Sequence, residues 1–310
     1  MHDPAVPQAF AAALDGLIRQ VRQDRSVLAA ILCGSMAHDT VWARSDIDLV
    51  LVTTDDRKGG DNDIPLNADG VNVHALLLPR TEFRKMVEGS LHNSFMHAFL
   101  AKGQLIYTHD ETIADLCTRL HAMGSRDAAI QVMNAATSVL PPLYKARKWL
   151  VTRGDYAYTS LWILAAATPL ARMEIISAGR VADREVLPQA AKLNPALFDT
   201  IYINLLRNGT KKDAVETALE TLERYMEGRA RKIFAPLVAY MQEVGDVRSS
   251  RDIEDHFKKN FGIGGVTTAC EYLADLGVLG KASTPTLLTR RSNNSVEELA
   301  FYFSGPPDGD

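Results

Sequence analysis

The chain has 310 residues, of which 46% are hydrophobic, so it is long enough for two or three domains that each bury a core. Its formal net charge of -4 and sequence pI of about 6.1 exclude a global positive field, so any nucleic-acid contact must be local. Cys33, Cys117 and Cys270 are odd in number and too widely spaced for a CxxC zinc pattern, which predicts free thiols in a reducing compartment.

Targeting signals are not evident in the sequence. The N-terminal segment has no basic stretch ahead of an apolar core, and no run reaches roughly 18 uninterrupted apolar residues. We therefore expect a cytoplasmic protein that makes no membrane contact.

Apolar spacing in the first third predicts a helix followed by three strands. Apolar residues recur every three or four positions over 7–23, as in an amphipathic helix. Short apolar runs at 28–32, 47–53 and 71–78 are typical of strands. The segment 53–70 is rich in Asp, Asn and Gly, which predicts a loop. Together these elements indicate a small α/β unit.

From Thr81 onward the pattern turns helical, and residues 127–245 are expected to form an all-helical domain. The predicted breaks between its helices are Pro141-Pro142, Arg153-Gly154, Ala178-Gly179 and Asn208-Gly209.

The pattern changes again near the C-terminus. A helix capped by Ser249 or Ser250 is expected to reach about residue 259. After a glycine turn we expect a helix and a two-stranded hairpin, at residues 266–279, 284–290 and 296–303. These changes predict three domains, at residues 1–110, 111–245 and 246–310.

The stretch CGSMAHDTVWARSDIDLVLV carries the strongest chemical signal. Residues two apart in a strand point to the same side, so Asp46 and Asp48 would present their carboxylates together. Such a pair suits Mg²⁺, which takes its remaining ligands from water and substrate phosphates. The turn at Gly34 and Ser35 would let backbone N–H groups and a hydroxyl approach those phosphates.

The motif consists of Gly34-Ser35, ten intervening residues, and Asp46-Ile47-Asp48 before an apolar strand. This motif resembles that of the DNA polymerase β-like nucleotidyltransferase superfamily. The nearest likeness is to the antibiotic and minimal nucleotidyltransferases, over roughly residues 25–110. The resemblance implies an α/β (α+β) nucleotidyltransferase domain followed by a helical domain. It also implies that Gly34 and Ser35 bind the triphosphate and that Asp46 and Asp48 hold Mg²⁺ or Mn²⁺.

The resemblance further implies basic contacts from the helical domain and a third acid on a following strand. Lys145 and Lys148 are the candidates for nucleotide contacts, by position alone. On the third strand the candidate positions for the acid are Asn72 and His74, and neither is a carboxylate, while Asp69 lies upstream in the expected loop. An imidazole ligand at His74 would weaken the second metal site or shift its metal preference.

The C-terminal helices and hairpin resemble a winged-helix domain, whose second helix enters the DNA major groove. The segment is net acidic, which argues against a strong DNA contact, although Arg290 and Arg291 are placed to meet a phosphate backbone. Two roles are therefore expected for residues 246–310: DNA binding, or a contact that forms a homodimer or packs against the transferase domain, with the second slightly preferred.

Two functional hypotheses result. The first is an enzyme that moves a nucleoside monophosphate from a nucleoside triphosphate, ATP first, to an acceptor hydroxyl. The alternative is a regulator that has lost turnover with the third acid and binds DNA or a partner through its winged helix.

Overall fold

The computed structural model describes residues 5–34, 36–38, 41–55, 63–88, 100, 103–119, 125–182, 185–289 and 291–305. The chain forms two compact units, Met1–Gly124 and Ser125–Asp310.

The first unit is a mixed sheet with helices. Its described elements are α1 (Ala5–Val21), β1 (Val27–Cys33), β2 (Ile47–Thr53), β3 (Asp63–Ala68), β4 (Val71–Pro79), α2 (Arg80–Glu88), β5 (Gln104–Thr108) and α3 (Glu111–Arg119). The strand order is β3-β4-β2-β1-β5. β2 and β4 run parallel, and the other neighbouring strands run antiparallel. The predicted α/β class, the first helix and the three apolar strands are confirmed.

Two strands of this sheet were not predicted, and both lie at its edges. The loop prediction for 53–70 is wrong over β3, and the helical prediction after Thr81 is wrong over β5. β3 alternates between exposed and partly buried side chains and contains Pro65, which an edge strand tolerates. Edge strands bury little apolar surface, so their hydrophobic pattern is weak. The strand β3 is defined by its pairing with β4, and β5 by its pairing with β1.

α1 packs its apolar stripe against one face of the sheet. Its buried residues Phe10, Leu14 and Ile18 are spaced four apart and share one core with Leu49 of β2 and Val73 of β4. Since successive strand residues face opposite sides, Asp48 and His74 lie on the face away from α1.

The other face of the sheet is covered by α2 and α3. α2 contacts β2 and β4, and α3 contacts β5 and α2. The side chains of Phe83 in α2 and Ile113 in α3 are fully buried.

Replacing Phe83 by Ala is expected to lower the free energy of unfolding by about 3–5 kcal/mol, because a fully buried ring leaves a cavity. Val151, whose side chain is 70% exposed, provides the control. Val151→Ala should change the same quantity by less than about 0.5 kcal/mol. Urea denaturation followed by circular dichroism measures both. Equal effects of the two substitutions would contradict the assigned core.

The second unit is mostly helical. Its described helices are α4 (Ser125–Arg153), α5 (Tyr156–Ser177), α6 (Val186–Leu193), α7 (Pro195–Phe198), α8 (Asn204–Asn208), α9 (Lys212–Glu227), α10 (Ala230–Ile233), α11 (Ala235–Val244), α12 (Ser250–Phe261) and α13 (Val266–Asp275), with a π-helical turn at Asp199–Ile203. Its strands are β6 (Arg248–Ser249), β7 (Leu279–Thr286) and β8 (Val296–Phe303).

The helix breaks follow the glycines and not the prolines. Gly154 and Gly179 have positive φ angles of 61° and 70° at the ends of α4 and α5. The predicted break at Pro141-Pro142 is wrong, because both prolines lie inside α4. α4 packs along α5 and contacts α9, α11 and α13, and this packing outweighs the local cost of the prolines.

The C-terminal segment forms two helices and a three-stranded sheet of order β6-β8-β7. Ser249 caps α12 by accepting a hydrogen bond from the Asp252 N–H at 3.1 Å. The predicted helix 266–279 ends earlier, because Gly277 has a φ of 70° and stops it. β7 accordingly starts at Leu279, five residues before the predicted strand.

Most residues of α13 are buried or partly buried. The helix contacts α4 of the same unit. Of its polar residues Thr267, Thr268, Glu271 and Asp275, only Asp275 is exposed. Arg291 is exposed, and Arg290 lies outside the described residues. The predicted role of residues 246–310 in dimerisation, packing or DNA binding stays a prediction.

Within the described residues, no helix is both long enough and apolar enough to cross a membrane.

Candidate active site

The two aspartates lie at the start of β2. Ile47 and Leu49 are buried in the core beneath α1, whereas Asp46 and Asp48 alternate with them and are only partly buried. The alternation places both carboxylates on the same face of the sheet, as the spacing predicted.

Gly34 and Asp48 are packed against each other. Cys33, the last residue of β1, pairs with Asp48 in the antiparallel register. Gly34 follows with a φ of 66°, and a Cβ built on it would lie 1.8 Å from Asp48 Oδ2. The glycine is therefore required both by its backbone angle and by the carboxylate above it. Ser35, the predicted partner of Gly34, lies outside the described residues.

His74 lies beside both aspartates. β4 runs parallel to β2, and their register pairs His74 with Asp48. The His74 Nδ1 atom is 3.4 Å from Asp46 Oδ2, and the two side chains are 54% and 42% exposed. The strand position from which a third acid was expected thus carries an imidazole that contacts the first acid.

Asp69 lies on the other side of the sheet. It occupies the turn between β3 and β4 with a φ of 49°, as the loop prediction had it. A Cβ built on Gly16 of α1 would be 3.4 Å from Asp69 Oδ2, so this carboxylate faces α1. In the described part of the chain, no group of three or more His, Cys, Asp or Glu side chains is arranged to hold a metal ion.

Gln104 was missed by the sequence analysis. From β5 its Nε2 atom donates a hydrogen bond to the Ala37 carbonyl at 3.1 Å. This bond joins the edge strand to the short 3₁₀ helix Met36–His38 that follows the Gly34 turn. This contact could have been predicted only if β5 had been recognised as a strand, and the apolar pattern of β5 is weak.

Cys33 is buried on the same face as Asp48. Burial, followed by the negative charge of Asp48, raises the pKa of the Cys33 thiol. Burial also raises the pKa of Cys117 to about 11. Only about one thiol in a thousand is a thiolate three units below its pKa, so both groups are protonated and weakly nucleophilic at pH 8.

We expect iodoacetamide at pH 8 to leave Cys33 and Cys117 unmodified in the folded protein. Both should react within minutes once the protein is denatured, when each pKa returns to the ordinary thiol range. Peptide mass spectrometry measures the labelled fraction at each position. Rapid native labelling of Cys33 would show that its surroundings are open to solvent.

The predicted lysines lie in α4 of the second unit. Lys145 Nζ is 4.1 Å from the centre of the Trp162 ring, a cation–π contact, and Lys148 is exposed. Arg147 of the same helix pairs with Glu223. Their assignment to nucleotide binding stays a prediction.

Comparison with known proteins supports the fold and the family of the first unit. Residues 16–112 match the family described as "Polymerase beta, Nucleotidyltransferase". A solved structure described as a nucleotidyltransferase-like protein from Exiguobacterium sibiricum 255-15 is similar, with a TM-score of 0.59 and 14% sequence identity. The similarity covers 94% of this chain and 99% of that one, so the fold extends through both units. No curated protein sequence matches the chain.

Proposed function

We propose that the protein transfers a nucleoside monophosphate from a nucleoside triphosphate, ATP first, to an acceptor hydroxyl, because residues 16–112 match the polymerase beta nucleotidyltransferase family. A bond forms between the acceptor oxygen and the α-phosphorus while the bond from the α-phosphorus to the oxygen that bridges it to the β-phosphorus breaks. Pyrophosphate leaves with that bridging oxygen, and the hydroxyl proton passes to solvent. One observation carries the proposal: the Asp48 carboxylate lies over Gly34, with Asp46 on the same face.

The donor set fits a magnesium ion. Asp46 and Asp48 offer carboxylate oxygens from one face of β2, and Mg²⁺ is commonly held by one or two carboxylates, water and substrate phosphates. The ion would neutralise charge that develops on the phosphates. The left-handed turn at Gly34 lies against the same carboxylate, and backbone N–H groups in turns of this kind can orient a phosphate chain.

His74 is proposed as a ligand that tunes the choice of metal. Its imidazole already contacts Asp46, at the strand position next to Asp48. Imidazole nitrogen is a poorer ligand for Mg²⁺ than for transition metals. A preference for Mn²⁺ over Mg²⁺ in turnover would support this role.

Two further proposals concern the second unit. Lys145 and Lys148 are proposed to contact the nucleotide or the acceptor. For residues 246–310 we propose a protein contact, such as a homodimer, over DNA binding. Leu287 and Leu288, after β7, are 49% and 72% exposed, whereas α13 offers an acidic and largely covered surface.

The test is metal-dependent turnover. Purified protein is incubated with each of the four labelled nucleoside triphosphates, with Mg²⁺ or Mn²⁺, and with cell extract as the source of acceptor. We expect pyrophosphate release and label transfer with at least one nucleotide. Folded protein that is silent with every nucleotide and both metals would overturn the proposed activity.

A further inference from the structure

An exposed tryptophan stands in the loop that joins the Gly34 turn to the two aspartates. The indole of Trp42 is 60% exposed, although burial of such a ring is strongly favourable. Loops that carry functional residues on a rigid scaffold are where such exposure is retained.

The backbone around Trp42 is held in place. Val41 and Ile47, on either side, are 5% and 0% exposed and belong to the core under α1. Between them the Ser45 N–H donates to the Trp42 carbonyl at 2.9 Å, and the Trp42 N–H donates to Ser45 Oγ at 3.1 Å. These bonds close a tight turn in the backbone that ends one residue before Asp46.

We propose that Trp42 stacks on the nucleobase of the nucleoside triphosphate. The inference rests on the proposed function and extends it to the recognition of the base. The residues that flank Trp42 in the chain, Gly34 on one side and Asp46 and Asp48 on the other, are those assigned to the phosphates and the metal. An exposed indole in the loop that joins them provides an aromatic surface on which a nucleobase of any identity can stack.

The test compares two probes in the full-length protein with Mg²⁺: ATP, which carries a base, and inorganic tripolyphosphate, which does not. We expect Trp42→Ala to weaken ATP binding about tenfold and to leave tripolyphosphate binding unchanged, by calorimetry. Trp42→Phe, which keeps an aromatic face, should bind ATP within about threefold of wild type. Leu206→Ala, at an exposed apolar residue of the second unit, should alter neither affinity.

A spectroscopic signal separates stacking from a structural role. ATP should quench tryptophan emission in the wild type, and the quench should be lost in Trp42→Phe, although that variant still binds ATP. Unchanged ATP affinity in Trp42→Ala, or equal weakening of both probes, would overturn the proposal. A Trp42→Ala effect confined to a higher KM for the acceptor would also overturn the proposal. If wild-type protein binds neither probe, the proposed function fails first and the stacking proposal falls with it.

Discussion

Replacing Asp46 and Asp48 together by Asn is expected to reduce metal-dependent nucleotide transfer about a thousandfold or more while leaving the protein folded. The amide removes the negative charge that holds the metal but preserves the size of each side chain. Both side chains are partly exposed at the start of β2, so the core beneath them is untouched. Transfer is measured as label on the acceptor and pyrophosphate released, and folding by the thermal midpoint.

Asp63→Asn provides the matched control. Asp63 is exposed at the start of β3 on the edge of the same sheet, opposite Leu76 of β4. The Asp63→Asn substitution removes one carboxylate from the domain without altering the acidic pair, so the turnover of this variant should equal that of wild type. Normal transfer by the Asp46/Asp48 double variant would mean that the site has been misplaced.

Replacing Gly34 by Ala is expected to have the second-largest effect, with transfer lowered more than about tenfold and the thermal midpoint reduced. The new Cβ would lie 1.8 Å from Asp48 Oδ2 and 2.8 Å from its Cγ, so the carboxylate must move off the metal site. The φ of 66° adds about 1–2 kcal/mol of backbone strain. Displacement of a reacting group by about an ångström costs on the order of a hundredfold in rate.

Gly154→Ala separates the clash from the strain. Gly154 has a φ of 61°, close to that of Gly34, but nothing lies within 4 Å of its Cβ position. Its substitution should therefore cost similar backbone strain and leave transfer intact. Equal loss of activity in the two variants would show that the contact with Asp48 is irrelevant to the site.

The local pattern predicted the interior of the first unit well. α1, β1, β2 and β4 are amphipathic or continuously apolar, and such patterns follow directly from which side of an element is buried. β3 and β5 were missed because an edge strand buries little and is defined by a neighbour far away in the sequence. The two prolines inside α4 misled the helix boundary for the same reason, since packing against other helices decided it.

The same distinction between local pattern and long-range contact applies to the candidate site. The sequence by itself determined the acidic pair and the glycine turn, because residues two apart in a strand share a face whatever the strand pairs with. It determined neither the contact of His74 with Asp46 nor the position of Asp69 against α1. The first depends on the parallel register of β2 and β4, and the second on the packing of α1 near the turn between β3 and β4.

Tertiary structure alone also placed the Asp48 carboxylate over Gly34 and left Trp42 exposed. Cys33 and Asp48 are fifteen positions apart in the chain, and only the antiparallel pairing of β1 with β2 brings the two strand ends together. Periodicity reports which side of an element is buried, whereas contacts between elements depend on the register of strands and the packing of helices. For this protein, the sequence alone therefore predicted the acidic pair and the glycine turn, whereas the contacts among these residues depend on the strand pairing of the sheet.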